Sequence, residues 1–187
     1  MTPGRRRRAI AVASSATLVL CACTSGSGGA APDDTVVDAQ RCLDVDPAPE
    51  PVVDQLGDAI AAIELAYGSP QEFFEISADL QRVSLIVAID DATAAEQSFY
   101  CGGAFAPPEA VGGASGATFA GDAVDVDTGA VFDRLRDELD DPTIIDFAVQ
   151  GTGDGGVVYD ASVASAQGGV LLVRLGRDGA ILGVQAQ

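Results

Sequence analysis

The chain has 187 residues, of which 48% are hydrophobic and 20% charged, and its formal net charge is −18. This length predicts one ordinary globular domain. The chain contains no histidine and no lysine, which excludes Ser-His-Asp and Ser-Lys hydrolytic machinery, and its excess of acids disfavours direct binding to nucleic acid phosphates or anionic lipid headgroups.

The N-terminal segment has the organisation of an export signal. Residues 5–8 are four consecutive arginines, and residues 9–20 form the apolar run AIAVASSATLVL. A transmembrane helix needs about 20 apolar residues, so this run is too short for a permanent span. We therefore predict a cleaved signal peptide over residues 1–22.

The sequence Leu-Cys-Ala-Cys at residues 20–23 resembles the lipobox of bacterial lipoproteins. Leu20 precedes Cys23 by three residues, and the small Ala22 lies directly before it. The resemblance implies that the Cys23 sulfur receives a diacylglycerol, that acylation such as palmitoylation anchors the protein, and that cleavage falls before Cys23. It also implies the extracytoplasmic face of the cell membrane. A secretory signal without an anchor is the alternative; a metal site is disfavoured, because zinc needs three or four Cys or His ligands.

Residues 23–41 are predicted to form a flexible tether. They are rich in Ser, Gly and Ala and become acidic from Asp33 onward. Such a composition buries too little apolar surface to order itself, and a coil of this length typically reaches about 25 Å. Without residues 1–22 the chain keeps six arginines and 28 acidic residues, a formal charge of −22, which we interpret as a solubility feature.

Two further cysteines, Cys42 and Cys101, lie in the predicted domain. Outside the cytoplasm an even pair in a domain of this size predicts a disulfide. It would tie the first ordered residues to the middle of the sheet. Two separately buried thiols are the alternative.

Two segments have the apolar spacing of amphipathic helices. The first runs from Pro51, suited to a first helical turn, to the stop signal Gly68; the second begins at the cap candidates Asp127 and Thr128 and closes at Pro142. The apolar positions that define the two helices are Val53, Leu56, Ile60, Ile63, Phe132, Leu135 and Leu139.

Several runs rich in β-branched residues follow each helix, and the last two flank the turn Gly176–Gly179, which predicts a hairpin. We therefore predict an α+β fold, an antiparallel sheet with two helices, as a single domain over residues 42–187. The predicted strands lie within residues 72–76, 83–89, 144–149, 157–163 and 170–176 and after Gly179.

The two predicted helices match in detail. VVDQLGDAI and VFDRLRDEL share Val, Asp, Leu and Asp at a constant offset of 79 residues. A tandem α-β-β-β duplication would explain this match. Convergence of amphipathic helices on the same pattern is the competing hypothesis.

The segment 102–120 is rich in Gly, Ala and Pro. It is either a long surface loop, where a binding function would lie, or a set of short edge strands around Phe105 and Phe119. We expect the two aromatic rings to fold back over the sheet.

The run from residue 78 to residue 105 resembles the LppP/LprE family of actinobacterial lipoproteins. The resemblance implies a surface lipoprotein without an assigned reaction. It rests on Leu80, Val83, the Ala92–Ala94 segment, Phe99, Gly102 and the Asp178-Gly179 turn.

No motif points to catalysis, and we predict no catalytic residue, metal site or cofactor. Read as a calcium loop from Asp125, the acidic segment has Ala130 where Gly is needed and Arg136 where Glu is needed. The glycines of residues 151–156 have no following helix and indicate a turn. We predict a non-catalytic envelope lipoprotein that binds an envelope protein or a small ligand; a carboxylate-based enzyme and a purely structural envelope protein are the alternatives.

Overall fold

A computed structural model describes residues 41, 42, 44–166 and 168–187. The predicted signal peptide, the lipobox and the tether up to residue 40 lie outside the described residues. Within them, the predicted α+β class is confirmed: ten strands form one antiparallel sheet, accompanied by two helices.

The two helices begin and end close to the predicted signals. Helix α1 spans Leu56–Tyr67, and the single 3-10 turn Val53–Gln55 precedes it. It stops at Gly68, which has a φ of 73°, a conformation that glycine adopts without steric cost. Helix α2 spans Thr128–Glu138 and is capped by Asp127, whose side chain accepts a hydrogen bond from the Ala130 N–H at 3.0 Å.

The sheet contains the six predicted strands and four further strands, β3 to β6. The strand β3 was missed because it opens with Ala-Ala-Glu-Gln, residues with little intrinsic strand preference. The strands are β1 (Glu72–Asp79), β2 (Val83–Ile89), β3 (Ala94–Cys101), β4 (Ala104–Phe105), β5 (Glu109–Gly113), β6 (Phe119–Ala120), β7 (Thr143–Gly151), β8 (Val157–Ala164), β9 (Val170–Leu175) and β10 (Ile181–Ala186).

The strand order is β10-β9-β8-β7-β1-β2-β3-β4, with β5 beside β3 and β6 beside β1. Strands β1 and β7 form the centre, where Ile76 lies opposite Val149 and Ala78 opposite Phe147. On one side of this central pair, β2 and then β3 follow β1; on the other side, β8 and then β9 follow β7. Neighbouring strands in both groups are antiparallel.

Both helices pack against the same face of the sheet. The buried residues of α1 and α2 belong to one hydrophobic cluster with alternate residues of β1, β2, β7, β8 and β9. Near its centre, the Phe147 ring lies 5.9 Å from that of Phe132 and 5.8 Å from that of Tyr159. Such aromatic pairs contribute about 1 kcal/mol each beyond the burial of their area.

Two predicted turns are confirmed. The Gly176 N–H donates to the Ala180 carbonyl at 2.8 Å and closes the β9–β10 hairpin, with Gly179 at a φ of 75°. The Thr152 N–H donates to the Gly156 carbonyl at 3.0 Å in the turn between β7 and β8.

Candidate functional site

The predicted lipidation residue, Cys23, lies outside the described residues. Cys42 and Cys101 are both buried, and their sulfurs lie 1.93 Å apart, a disulfide distance, with the Cα atoms separated by 5.6 Å. The predicted pairing is therefore present, but it joins the start of the described chain to the end of β3, next to the sheet edge, and not to the middle of the sheet as expected.

Segment 102–120 contains short strands rather than one long loop. Phe119, in β6, is 1% exposed, and its ring centroid lies 6.1 Å from that of Phe73. Phe105, in β4, is partly buried against the core. The expectation that both rings fold back over the sheet is confirmed, so their burial serves packing.

A surface groove lies between α1 and the segment that leads into α2, and we call it the α1 groove. Its volume is about 530 Å³, within the range of roughly 300–1,000 Å³ that is typical of small-molecule sites. It is lined by Val53, Leu56, Gly57, Ile60, Ala61, Glu64, Pro70, Ala120, Gly121, Asp122, Val124, Val126 and Thr128.

The α1 groove exists because the chain before α2 approaches α1 very closely. A Cβ atom at Gly121 would lie 2.6 Å from Ile60 Cγ2 and 3.2 Å from Glu64 Oε1. Only glycine permits this approach without displacing its neighbours. From this contact residues 124–128 continue toward α2 and form the second wall.

The groove wall is mostly apolar but carries two carboxylates. Ile60, Val124 and Val126 are only partly buried, so their side chains keep apolar surface in the groove. Glu64 and Asp122 also line it, and Glu64 Oε1 accepts a hydrogen bond from the Gln71 N–H at 3.3 Å. The arrangement suits a ligand with an apolar body and a cationic or hydrogen-bond-donating group.

A smaller depression of about 290 Å³ lies beside the C-terminal end of α1. Its wall includes Tyr67, whose hydroxyl donates to a carboxylate oxygen of Glu96. Burial, and then the hydrogen bond to Glu96, raise the pKa of Tyr67, so the phenol stays protonated and acts as a donor. This pair fixes α1 to β3.

A group of carboxylates occupies the sheet face opposite the helices. Glu75 and Asp79 of β1 and Asp146 of β7 lie there, since each adjoins a core residue in its strand. Burial, followed by the charges of Glu75 and Asp79, raises the pKa of Asp146 to about 6. Glu75 accepts a hydrogen bond from the Gln150 amide at 2.9 Å.

The same face carries a charge pair between neighbouring strands. Asp160 of β8 is nearly buried, and its two carboxylate oxygens accept hydrogen bonds from Nε and Nη2 of Arg174 in β9, each at 3.0 Å. This bidentate geometry offsets the desolvation of the Asp160 charge. The pair links β8 to β9.

The acidic segment considered for calcium serves local structure. Asp127 caps α2, and Asp125 forms an ion pair with Arg177 of the β9–β10 turn. Within the described ranges, no group of three or more His, Cys, Asp or Glu residues is arranged to hold a metal ion. None of the helices in the described part of the chain is long and apolar enough to span a bilayer.

Sequence reasoning did not find the α1 groove. Its two walls are at least 50 residues apart in the chain, and no motif connects them. The one local signal is Gly121, a glycine between a buried aromatic residue and an acidic run. The sequence does not show that Gly121 lies against Ile60 of α1, so this signal alone does not reveal the groove.

The described residues thus define a disulfide-containing, antiparallel α+β domain with a surface groove. Comparison of the chain with protein-family models, with curated proteins and with solved structures found no match. The resemblances to the lipobox and to the LppP/LprE family therefore stay predictions from the residues that carry them.

Proposed function

We propose that the chain is a non-catalytic, lipid-anchored lipoprotein of the cell envelope that binds a small ligand in the α1 groove. The lipobox-like sequence ending at Cys23 supports the anchor. The Cys42–Cys101 pair supports an extracytoplasmic location, since disulfides persist in oxidising compartments. Residues 23–41 would then separate the domain from the membrane surface.

The α1 groove is the observation that carries the binding function. It combines an apolar wall with a small number of polar groups, as ligand sites usually do. Glu64 and Asp122 add negative charge to its wall, and residues 23–187 have a formal charge of −22. We therefore propose a small ligand with an apolar body and a positively charged group.

A pair of probes of equal skeleton and opposite charge tests this proposal. Phenylbutylamine and phenylbutyrate are titrated against the purified full chain, and backbone amide NMR shifts are recorded. We expect saturable shifts with the amine, confined to α1 and residues 120–128, and weaker binding of the carboxylate because Glu64 and Asp122 repel it. Glu64→Gln should weaken amine binding about three- to tenfold.

Two tryptophan variants separate the groove from general attraction to an acidic protein. A Cβ atom at Gly57 meets no atom within 4 Å, so Gly57→Trp extends into the groove without a backbone clash. Leu65→Trp is the matched control on the same helix, at a residue that is 83% exposed and does not line the groove. Equal amine binding by both variants would contradict the proposal.

The mass of the mature N-terminal peptide tests the anchor. Peptides from the membrane fraction should begin at Cys23 and carry the added mass of a diacylglycerol. A secreted protein that begins at another residue and carries no lipid would contradict this part of the proposal.

We also propose that the domain is a tandem repeat of an α-β-β-β unit. The strand order β3-β2-β1-β7-β8-β9 has the symmetry that such a repeat would give. Residues 72–79 and 143–150 support it, because their burial patterns differ at one position only and their acids, Glu75 and Asp146, occupy the same place. Comparing the sequences of the two α-β-β-β units in divergent relatives tests this proposal. A repeat predicts that the units are more similar to each other than shuffled sequences are, and convergence predicts that they are not.

A further inference from the structure

Strand β10 (Ile181–Ala186) forms one edge of the sheet. It pairs with β9, and within the described residues no strand lies on its other side. The Gln187 N–H donates to the Val170 carbonyl at 2.9 Å. Hydrogen bonds alternate along an antiparallel pair, so Val184 and Ala186 direct their N–H and C=O groups away from β9.

The opposite edge has features that discourage pairing, and β10 lacks most of them. Strand β5 follows Pro107 and Pro108, carries the charge of Glu109, and contains Gly112 at a φ of 101°. Strand β10, with the sequence ILGVQA, contains neither a charge nor a proline. Its single register shift lies at the hairpin end, and residues 183–186 pair regularly with β9.

Two exposed apolar side chains accompany these backbone groups. Leu182 is 65% exposed and Val184 is 51% exposed. Val184 lies opposite Val173, which is fully buried in the core, so the Val184 side chain lies on the helix-covered side of the sheet. The apolar layer of the core therefore continues to the edge and ends uncovered.

The segment that forms this edge carries far less negative charge than the rest of the described chain. Residues 157–187, which contain β8, β9 and β10, carry two arginines and two aspartates, a formal charge of 0, whereas residues 41–156 carry four arginines and 23 acids, a formal charge of −19. Most surfaces of two copies therefore repel each other. The β10 edge is a place where two copies can approach without opposing acidic groups.

We propose that β10 pairs antiparallel with β10 of a second copy of this chain, across a two-fold axis near Gln185. Both copies use the same edge, as a two-fold interface requires. Val184 of one copy exchanges hydrogen bonds with Ala186 of the other, and the two sheets become continuous. The exposed Val184 side chains of the two copies, on the helix-covered side of both sheets, extend the apolar layer across the junction.

Cysteine cross-linking in the native membrane tests the pairing. With the axis at Gln185, its two Cα atoms lie about 4.5 Å apart, within disulfide reach. Gln185→Cys in the full chain should give a covalent dimer upon oxidation, and Val184→Cys covers a shift of the axis by one residue. The controls are the unsubstituted chain and Val111→Cys, a 52% exposed residue on the opposite edge.

A proline variant tests the pairing without cross-linking. Val184→Pro removes an N–H that points away from β9, so it should leave the domain folded, as circular dichroism would show, yet remove one hydrogen bond per copy. We expect about tenfold less dimer by sedimentation of the detergent-solubilised full chain. Added salt should strengthen dimers of the unsubstituted chain, because it screens the repulsion between acidic surfaces.

Three results would overturn the proposal: a monomeric unsubstituted chain with no cross-link from Gln185→Cys or Val184→Cys, cross-links only to a protein of different mass, or unchanged dimerisation in Val184→Pro. Because β10 and the α1 groove share no residues, none of these results bears on ligand binding.

Discussion

Asp146 shows how a single residue sets a pH dependence in this fold. Its carboxylate lies in the central strand pair, close to Glu75 and Asp79, and burial is the largest cause that raises its pKa to about 6. Asp79 itself lies 3.6 Å from the Arg82 guanidinium. Asp146 therefore binds its proton more tightly in the folded state than in the unfolded state, where its pKa is about 3.9.

The resulting change in stability has a defined sign. Because the folded pKa is raised, the contribution of protonated Asp146 is fully present below about pH 4 and is lost as the pH rises through about 6. Asp146→Asn should therefore increase the free energy of unfolding by about 1 kcal/mol at pH 7.5, after allowance for solvent screening, and change it little at pH 4. Urea unfolding at several pH values measures this difference.

Asp154 provides the matched control for that series. It is fully exposed, and its hydrogen bonds to Thr152 and the Gly156 N–H lower its pKa. Asp154→Asn should not reproduce the stabilisation that appears between pH 4 and pH 7.5. A pH-independent effect of Asp146→Asn would show that folding does not raise the pKa of Asp146.

At the scale of elements, spacing and cap residues were sufficient to predict both helices. Gly68 and Asp127 end and begin them through local geometry that the sequence alone encodes. Six of the seven long strands were also predictable, most of them from their β-branched runs. Strand β3 was not, because neighbouring strands, rather than its own residue preferences, hold Ala94–Cys101 in the sheet.

The α1 groove could not be predicted from local patterns, because it depends on tertiary contact. Gly121 and Ile60 are 61 residues apart, and their contact fixes the distance between the two walls. Nothing in either segment alone specifies the other. The sequence therefore predicted the class of fold and most of its elements, but not the place where those elements leave a cavity.

The disulfide links two elements of the fold, and its contribution to the free energy of unfolding can be measured. It closes a loop with a sequence separation of 59 residues between the first described turn and the end of β3. In the chain-entropy model, such a loop stabilises the folded state by about 4 kcal/mol. Cys42→Ser with Cys101→Ser should lower the free energy of unfolding by about that amount, as urea unfolding would show.

Thiol labelling distinguishes this disulfide from two buried thiols. When the unsubstituted protein is denatured without a reductant, Cys42 and Cys101 should both resist labelling, and both should react after reduction. Labelling of either residue before reduction would contradict the predicted bond in the mature protein.

At the scale of the whole molecule, the proposed anchor and the acidity of the chain fit together. Residues 23–187 carry a formal charge of −22, and anionic headgroups repel such a domain. A covalent lipid would hold the protein at the membrane despite this repulsion, and two acyl chains give a stable anchor where one is marginal. The tether of residues 23–41 would then allow the domain to stay away from the surface.

The most direct test of the proposed function is the distribution of Cys23→Ala between membrane and soluble fractions of the cell. Removal of the acceptor sulfur should prevent lipidation and maturation, and the protein should be lost from the mature, membrane-bound form. Cys21→Ala is the matched control and should remain in the membrane, since Cys21 would leave with the signal peptide. Retention of mature Cys23→Ala in the membrane at the level of the unsubstituted chain would contradict the proposed anchor.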